Sequence, residues 1–181
     1  MRQINKILSR THIQSSVYKK KQVPLAFMDL KINGAIERVE IKLFEDINPE
    51  TATNFKRICE GFTKPNGQII SYKGKRFVNK MKGYFMETEE IKDSIYGEGM
   101  LSESYTVRFD RPWMVGVSKL GDEVDEKSGS GFFFTLHQMP SLGNYVAVGE
   151  VVKGQEAIGK ADSENYEVQI EDCGVLGTIG V

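Results

Sequence analysis

Residues 27–43 constrain the fold more than any other part of the chain, because apolar and polar residues alternate on both sides of an Asn-Gly pair. A period of two is typical of a strand that buries one face. Asn33-Gly34 is the strongest short signal for a type I′ turn, which requires a positive φ at both central positions. The stretch is therefore predicted to form a β-hairpin.

A helix is predicted to follow this hairpin. Asn48, Pro49 and Glu50 supply a potential N-cap, a proline at the first helical position and an acid in the first turn, and Gly61 can end the helix. Most of the remaining chain has short strand-like runs separated by turn residues, with one brief helix predicted at 155–161. Many short strands with two helices favour a mainly β fold, a barrel or sandwich with helical caps.

Composition excludes several classes of protein. The 181 residues are 40% hydrophobic and 27% charged, which suits one soluble domain with its own core, and no apolar run approaches the ~18 residues of a membrane-spanning helix. A net charge of -1 argues against a dedicated nucleic-acid binder. Cys59 and Cys173 are predicted to be buried thiols of a reducing compartment. With two histidines and no ligand spacing, we expect no metal and no cofactor.

The first 22 residues differ from the rest, since they hold six basic and no acidic residues. On a helix, their apolar and basic side chains separate onto opposite faces. This composition is typical of a mitochondrial presequence, and a solvated basic tail is the alternative. If retained, the segment is predicted to bind protein subunits of a larger assembly. The predicted contact residues are Arg2, Ile4, Lys6, Ile7, Leu8 and Arg10.

Seven blocks of sequence follow one another in a characteristic order and spacing. They are FMDL (27–30), VEIKLF (39–44), PETATNF (49–55), YKG (72–74), SIYGE (94–98), GSGFF (129–133) and DCG (172–174). Together they resemble the cyclophilins. The resemblance runs from about residue 25 to 176 and implies a closed eight-stranded antiparallel β-barrel capped by two helices, with a proline-binding groove on its outer face. We therefore predict an extension at 1–22, a cyclophilin-like domain at 23–177 and a tail at 178–181.

The same resemblance implies that the polar half of the isomerase site is changed. Where the family carries its catalytic arginine this chain has Asn79, and where it carries a substrate-holding glutamine this chain has Glu87. Lys80 and Lys82 point to the other side of an extended strand from Asn79, so neither is expected to replace the arginine. No catalytic residue is expected. The full set of groove positions is Asn79, Tyr84, Phe85, Glu87, Ser118, Lys119, Gly131, Phe133, Ser141, Leu142 and Tyr145.

Trp113 stands where the family usually has glycine, directly after Arg111-Pro112. One interpretation is an aromatic side chain that binds a partner protein, because Trp and Arg are enriched at interfaces. The alternative is local repacking at one end of the barrel.

These features predict a catalytically degenerate cyclophilin-like accessory subunit of a larger assembly. The predicted location is mitochondrial, in the matrix or peripheral to the inner membrane, with a cytoplasmic or axonemal location as the alternative. Two other functions remain open. One is an active or weakly active peptidyl-prolyl isomerase, and the other is a proline-peptide binding module of an axonemal or other cytosolic complex.

Overall fold

The computed structural model describes residues 20–120 and 127–181. The predicted hairpin is present, with strand β1 (Gln22–Ile32) paired antiparallel to β2 (Ala35–Leu43) and Ile32 opposite Ala35. Asn33 and Gly34 have φ angles of 47° and 84°. Both are positive, as the type I′ turn requires, which confirms the interpretation of the Asn-Gly pair.

Helix α1 (Pro49–Glu60) begins at the predicted proline and ends at Gly61, and Asn48 occupies the predicted N-cap position, but the side chain that accepts from the first helical N–H groups was not foreseen. The Asn48 side chain donates to the Ala147 carbonyl oxygen at 2.9 Å instead of capping the helix. The Glu103 carboxylate, distant in sequence, accepts the backbone N–H groups of Glu50 at 3.0 Å and Thr51 at 2.6 Å. A negative group here also suits the positive end of the helix dipole.

The second helix, α2, spans Gln155–Ser163, and a single 3₁₀ turn spans Pro140–Leu142. Within the described residues, the other strands are Phe62–Thr63 (β3), Ile69–Ile70 (β4), Phe77–Met81 (β5), Phe85–Thr88 (β6), Asp93–Ser94 (β7), Gly97–Glu98 (β8), Met100–Leu101 (β9), Met114–Lys119 (β10), Lys127–Thr135 (β11), Ala147–Lys153 (β12) and Val168–Gly180 (β13).

The main sheet is antiparallel and curled and has nine strands. Eight of them follow the order β13-β1-β2-β12-β10-β11-β6-β5, and the short strand β9 pairs with β11 beside this path. It corresponds to the predicted eight-stranded arrangement except that the barrel is not closed by a strand ladder. Arg76 forms an isolated bridge with Gln169, but in the described part of the chain no ladder joins the edge strands β5 and β13. The segment directly before β5 is a turn, in which the Gly74 N–H donates to the Ile170 carbonyl oxygen at 2.7 Å and the Lys75 carbonyl oxygen accepts from the Ile170 N–H at 2.8 Å.

The predicted domain boundaries at 22/23 and 177/178 both fall within the paired ends of β1 and β13. Gln22 lies opposite Gly180 in the β1–β13 pair, so residues 178–180 continue a strand. The Val181 N–H donates to the Lys21 carbonyl oxygen at 2.9 Å. The predicted partner-binding residues between Arg2 and Arg10 lie outside the described residues.

Three consecutive phenylalanines in β11 separate the core from the site. Phe132 and Phe134 are fully buried in the main hydrophobic core, which the sheet shares with both helices. Phe133 faces the other side of the strand and belongs to a second, smaller cluster with Phe109 and Met114. Because successive side chains on a strand point to opposite faces, this run contributes two rings to the main core and one ring to the smaller cluster. No helix in the described residues is both long and apolar enough to cross a membrane.

Candidate functional site

The second cluster forms the floor of a surface pocket of about 160 Å³. Six of the predicted groove positions meet there, although they come from three strands and the segment around the 3₁₀ turn. We call this the groove pocket, and it is lined by Asn79, Phe85, Glu87, Phe133, Leu142 and Tyr145.

Phe133 is the centre of the floor and is 3% exposed. Its ring lies 5.5 Å from that of Phe109 and 6.4 Å from that of Phe85, measured between centroids. A Cβ atom at Gly116 would lie 2.2 Å from Cζ of Phe133, so only glycine fits beneath the ring. Sequence reasoning missed Phe109 and Gly116. A glycine between two valines of a buried strand is the signal for such a close approach.

Hydrogen bonds organise the polar wall of the pocket around Glu87. The Asn79 side-chain amide donates to one carboxylate oxygen at 2.8 Å. The Ser118 hydroxyl donates to the other at 2.6 Å. Asn79 lies opposite Glu87 in the β5–β6 pair, and Ser118 comes from β10. These bonds hold the carboxylate with neutral donors on two sides.

Lys119 lies at the rim of the pocket, with its ammonium nitrogen 5.1 Å from the centroid of the Tyr145 ring. The Tyr145 ring is in turn 5.5 Å from Phe133, at an interplanar angle of 86°. A cation over an aromatic face is attracted by the negative charge of the ring face. Lys119 and Tyr145 therefore form one side of the pocket entrance.

Five predicted groove positions do not line the pocket, namely Ser118 and Lys119, described above, and Tyr84, Ser141 and Gly131. Tyr84 is 49% exposed and lies near His137, with ring centroids 6.0 Å apart. Ser141 is exposed on the 3₁₀ turn. Gly131 is buried, and a Cβ atom added to it would lie 3.2 Å from the Ser118 hydroxyl oxygen. A larger residue at 131 would crowd the serine that holds Glu87.

The lysines beside Asn79 bond away from the pocket, as the strand parity predicts. The ammonium groups of Lys80 and Lys82 donate to the carbonyl oxygens of Tyr166 and Ser163 respectively, the latter at 2.9 Å. Burial lowers the pKa of Lys80, with Asp162 and Glu167 acting in the opposite direction. These bonds fix the β5–β6 hairpin against the end of α2, so neither cation reaches the groove.

Trp113 is half-buried and packs against the main core, where its ring lies close to Gly159 of α2. Its φ angle is 68°, in the left-handed region that glycine adopts without strain. Both observations fit the interpretation of local repacking, and a role in partner binding stays a prediction.

The two cysteines are free and buried, as predicted. The Cys173 thiol donates to the Cys59 carbonyl oxygen at 3.3 Å, and burial raises the pKa of the Cys59 thiol. Among the described residues, no three His, Cys, Asp or Glu side chains are grouped to hold a metal ion.

Comparisons with known proteins place this geometry in a family. Residues 27–175 match the family described as cyclophilin type peptidyl-prolyl cis-trans isomerase/CLD. The chain is 34% identical over 174 residues to peptidyl-prolyl cis-trans isomerase D of Kluyveromyces lactis, covering 84% of this chain and 46% of that protein. It is 31% identical over 175 residues to the human NK-tumor recognition protein, covering 86% of this chain and 12% of that one.

The match to the protein of the same name from Eremothecium gossypii is 31% over 171 residues, covering 83% of this chain and 45% of the relative. The chain thus spans less than half the length of these curated relatives. The family match covers most of the described domain and confirms the resemblance seen in the sequence blocks. The chain belongs to the cyclophilin-type peptidyl-prolyl cis-trans isomerase family.

Proposed function

We propose that this chain binds an extended, proline-containing peptide segment in the groove pocket and isomerises it slowly, acting as a binding or accessory subunit and not as an efficient enzyme. The observation that carries the proposal is the hydrogen-bonded set of Asn79, Glu87 and Ser118. These three side chains form the polar wall of the groove pocket from one carboxylate and two neutral hydrogen-bond donors.

The barrier to prolyl isomerisation is ~18–20 kcal/mol and comes from amide resonance. A guanidinium group that donates toward the prolyl nitrogen stabilises the twisted amide more than the planar one, which lowers the barrier. Asn79 has neither the charge nor the reach of that group, and its amide is already bonded to Glu87. Loss of one preorganised donor typically costs about 10²–10³ in rate.

Binding is supported by the apolar half of the pocket. Phe133, Phe85 and Leu142 provide a concave surface whose aromatic rings stand at an angle to one another. Pockets of this kind, with a few polar groups at one side, are the usual form of a binding site. The rigid packing of Phe133 over Gly116 keeps the surface preformed.

An active isomerase, with a rate close to that of family members that carry the arginine, is the second candidate, and the preserved aromatic floor favours it, as does membership of the family. The two candidates predict different rates of isomerisation, and both predict that the groove pocket binds a proline-containing peptide. A role in a mitochondrial assembly is a further part of the proposal. It depends on residues 1–22 and on their basic, amphipathic pattern.

The test combines two measurements on the full chain. A protease-coupled assay with an Xaa-Pro peptide measures isomerisation, and titration calorimetry or NMR shifts of Phe133 measure binding of the same peptide. We expect binding together with a rate at least about 10²-fold below that of an isomerase with the family arginine. A rate within tenfold of such an enzyme would establish the second candidate, and absence of binding would overturn the proposal.

A further inference from the structure

Glu87 is a carboxylate in an aromatic pocket, and the ammonium group of Lys119 lies over the Tyr145 ring there and not in an ion pair with Glu87. In the described part of the chain it takes part in no ion pair. Its two hydrogen-bond donors, Asn79 and Ser118, are both neutral. The side chain is half-buried, so water only partly solvates the charge.

The bonds that Glu87 makes leave it able to accept more. An ionised carboxylate has about four acceptor positions, and Asn79 and Ser118 occupy two of them, one on each oxygen. A free position on each oxygen is the arrangement that a guanidinium binds with two parallel bonds, and an ammonium group can use either one.

The aromatic walls favour the same kind of ligand. The Phe133 ring is inclined at 69° to Phe85 and at 86° to Tyr145. Ring faces attract cations, and Lys119 already places its ammonium group over Tyr145 at the entrance. The position of Lys119 indicates that the Tyr145 ring attracts a cation. Lys119 therefore competes with a basic side chain of the peptide for the same part of the pocket.

We propose that the groove recognises a peptide that places an apolar residue such as proline on the floor and a neighbouring lysine or arginine against Glu87. This rests on the proposed function, since it names the peptide class that the same groove selects. Charge complementarity between the unpaired carboxylate and a basic side chain carries the inference. A neutral or acidic side chain at the same position would leave the carboxylate without its partner.

The experiment uses three peptides that differ at one position beside the proline, with lysine, norleucine or glutamate there. Norleucine matches the length of lysine without its charge. Dissociation constants are measured by fluorescence anisotropy with the full chain at low and high salt. We expect the lysine peptide to bind roughly five- to tenfold more tightly than the norleucine peptide at low salt, and the preference to shrink as salt increases.

Three variants locate the effect. Glu87→Gln keeps the shape of the side chain and should reduce the preference for the lysine peptide over the norleucine peptide to less than about twofold. Glu90→Gln, the matched control, removes an exposed charge paired with Lys92 and should preserve the preference. Lys119→Gln removes the competing cation and should tighten lysine binding about two- to threefold.

The outcomes separate the two proposals. Equal binding of all three peptides, or a preference that survives Glu87→Gln, overturns the recognition of a basic side chain while peptide binding stands. Failure of the wild-type chain to bind any of the peptides overturns both. Thermal melting of each variant shows whether it is folded, and a folded Glu87→Gln variant with the wild-type preference is evidence against the proposal.

Discussion

The side-chain amide of Asn79 donates a 2.8 Å hydrogen bond to the carboxylate of Glu87 directly across the β5–β6 pair. Two of the positions that differ from the family's isomerase pattern are therefore in contact. A change at one of them alters the surroundings of the other, so their effects on activity are not expected to add.

The first prediction concerns restoration of activity. In Asn79→Arg, the new guanidinium should be drawn into an ion pair with Glu87 and held away from substrate, so the single variant should regain little rate. Asn79→Arg with Glu87→Gln frees the cation, and its kcat/KM should exceed that of the single variant by at least about tenfold. The protease-coupled assay measures both.

Glu87→Gln alone is the control for this pair of variants, and it should remain slow because it supplies no cation. Equal rates for the single and double variants would show that Glu87 does not restrain an arginine at position 79.

The second prediction tests the backbone at Trp113, whose φ is 68°. Trp113→Gly and Trp113→Ala lose the same indole packing, but alanine must still adopt a left-handed conformation. The glycine variant should therefore be more stable than the alanine variant by about 1 kcal/mol, measured by urea unfolding. An alanine variant of equal or greater stability would mean that the backbone relaxes when the indole is removed.

The third prediction concerns the cap on α1. Glu103→Ala leaves the N–H groups of Glu50 and Thr51 without their acceptor, and should lower the free energy of unfolding by about 1 kcal/mol. Glu60→Ala, at the opposite end of the same helix, removes only a 3.9 Å surface pair with Arg57 and should change stability by less than about 0.5 kcal/mol. Similar losses in both variants would argue against Glu103 as the cap.

The fourth prediction is a pH dependence. Burial tends to raise the pKa of Glu150, but hydrogen bonds from Lys42 and Arg111 outweigh it and hold that pKa below its ordinary value. A carboxylate with a lowered folded-state pKa stabilises the protein above its unfolded-state pKa, and this contribution is lost as the pH falls through the folded-state pKa. Between about pH 7 and pH 3, Glu150→Gln should therefore lose less stability than the wild type.

Chemical denaturation across this pH range measures the difference, and the other acidic groups affect both proteins alike. Parallel losses in wild type and Glu150→Gln would show that the Lys42 and Arg111 contacts contribute nothing to folding.

The fifth prediction concerns residues 1–19, which carry four of the six basic residues of the extension. Deleting them retains the contacts made by Lys21 with Asp46 and Val181. The free energy of unfolding should change by less than about 0.5 kcal/mol, while co-purification with a larger assembly should weaken. A large loss of stability would make the segment part of the fold, and unchanged assembly would remove its proposed role.

The sequence by itself determined the elements whose signals are local. The positive φ angles at Asn33 and Gly34, the start of α1 at Pro49 and its end at Gly61 follow from residue types that favour those conformations. The ordered family blocks also predicted the fold and six of the residues that meet in the groove pocket.

Only the tertiary structure decided the contacts between distant segments. It made Glu103, and not the N-cap residue Asn48, the side chain that accepts from the first N–H groups of α1. It also left β5 and β13 without a ladder in the described residues, and placed Phe109 and Gly116 beneath Phe133. It also joined Asn79, Glu87 and Ser118 into one hydrogen-bonded set. The physical reason is that each of these depends on distances across strands and loops, which the curl of the sheet sets and no local propensity encodes.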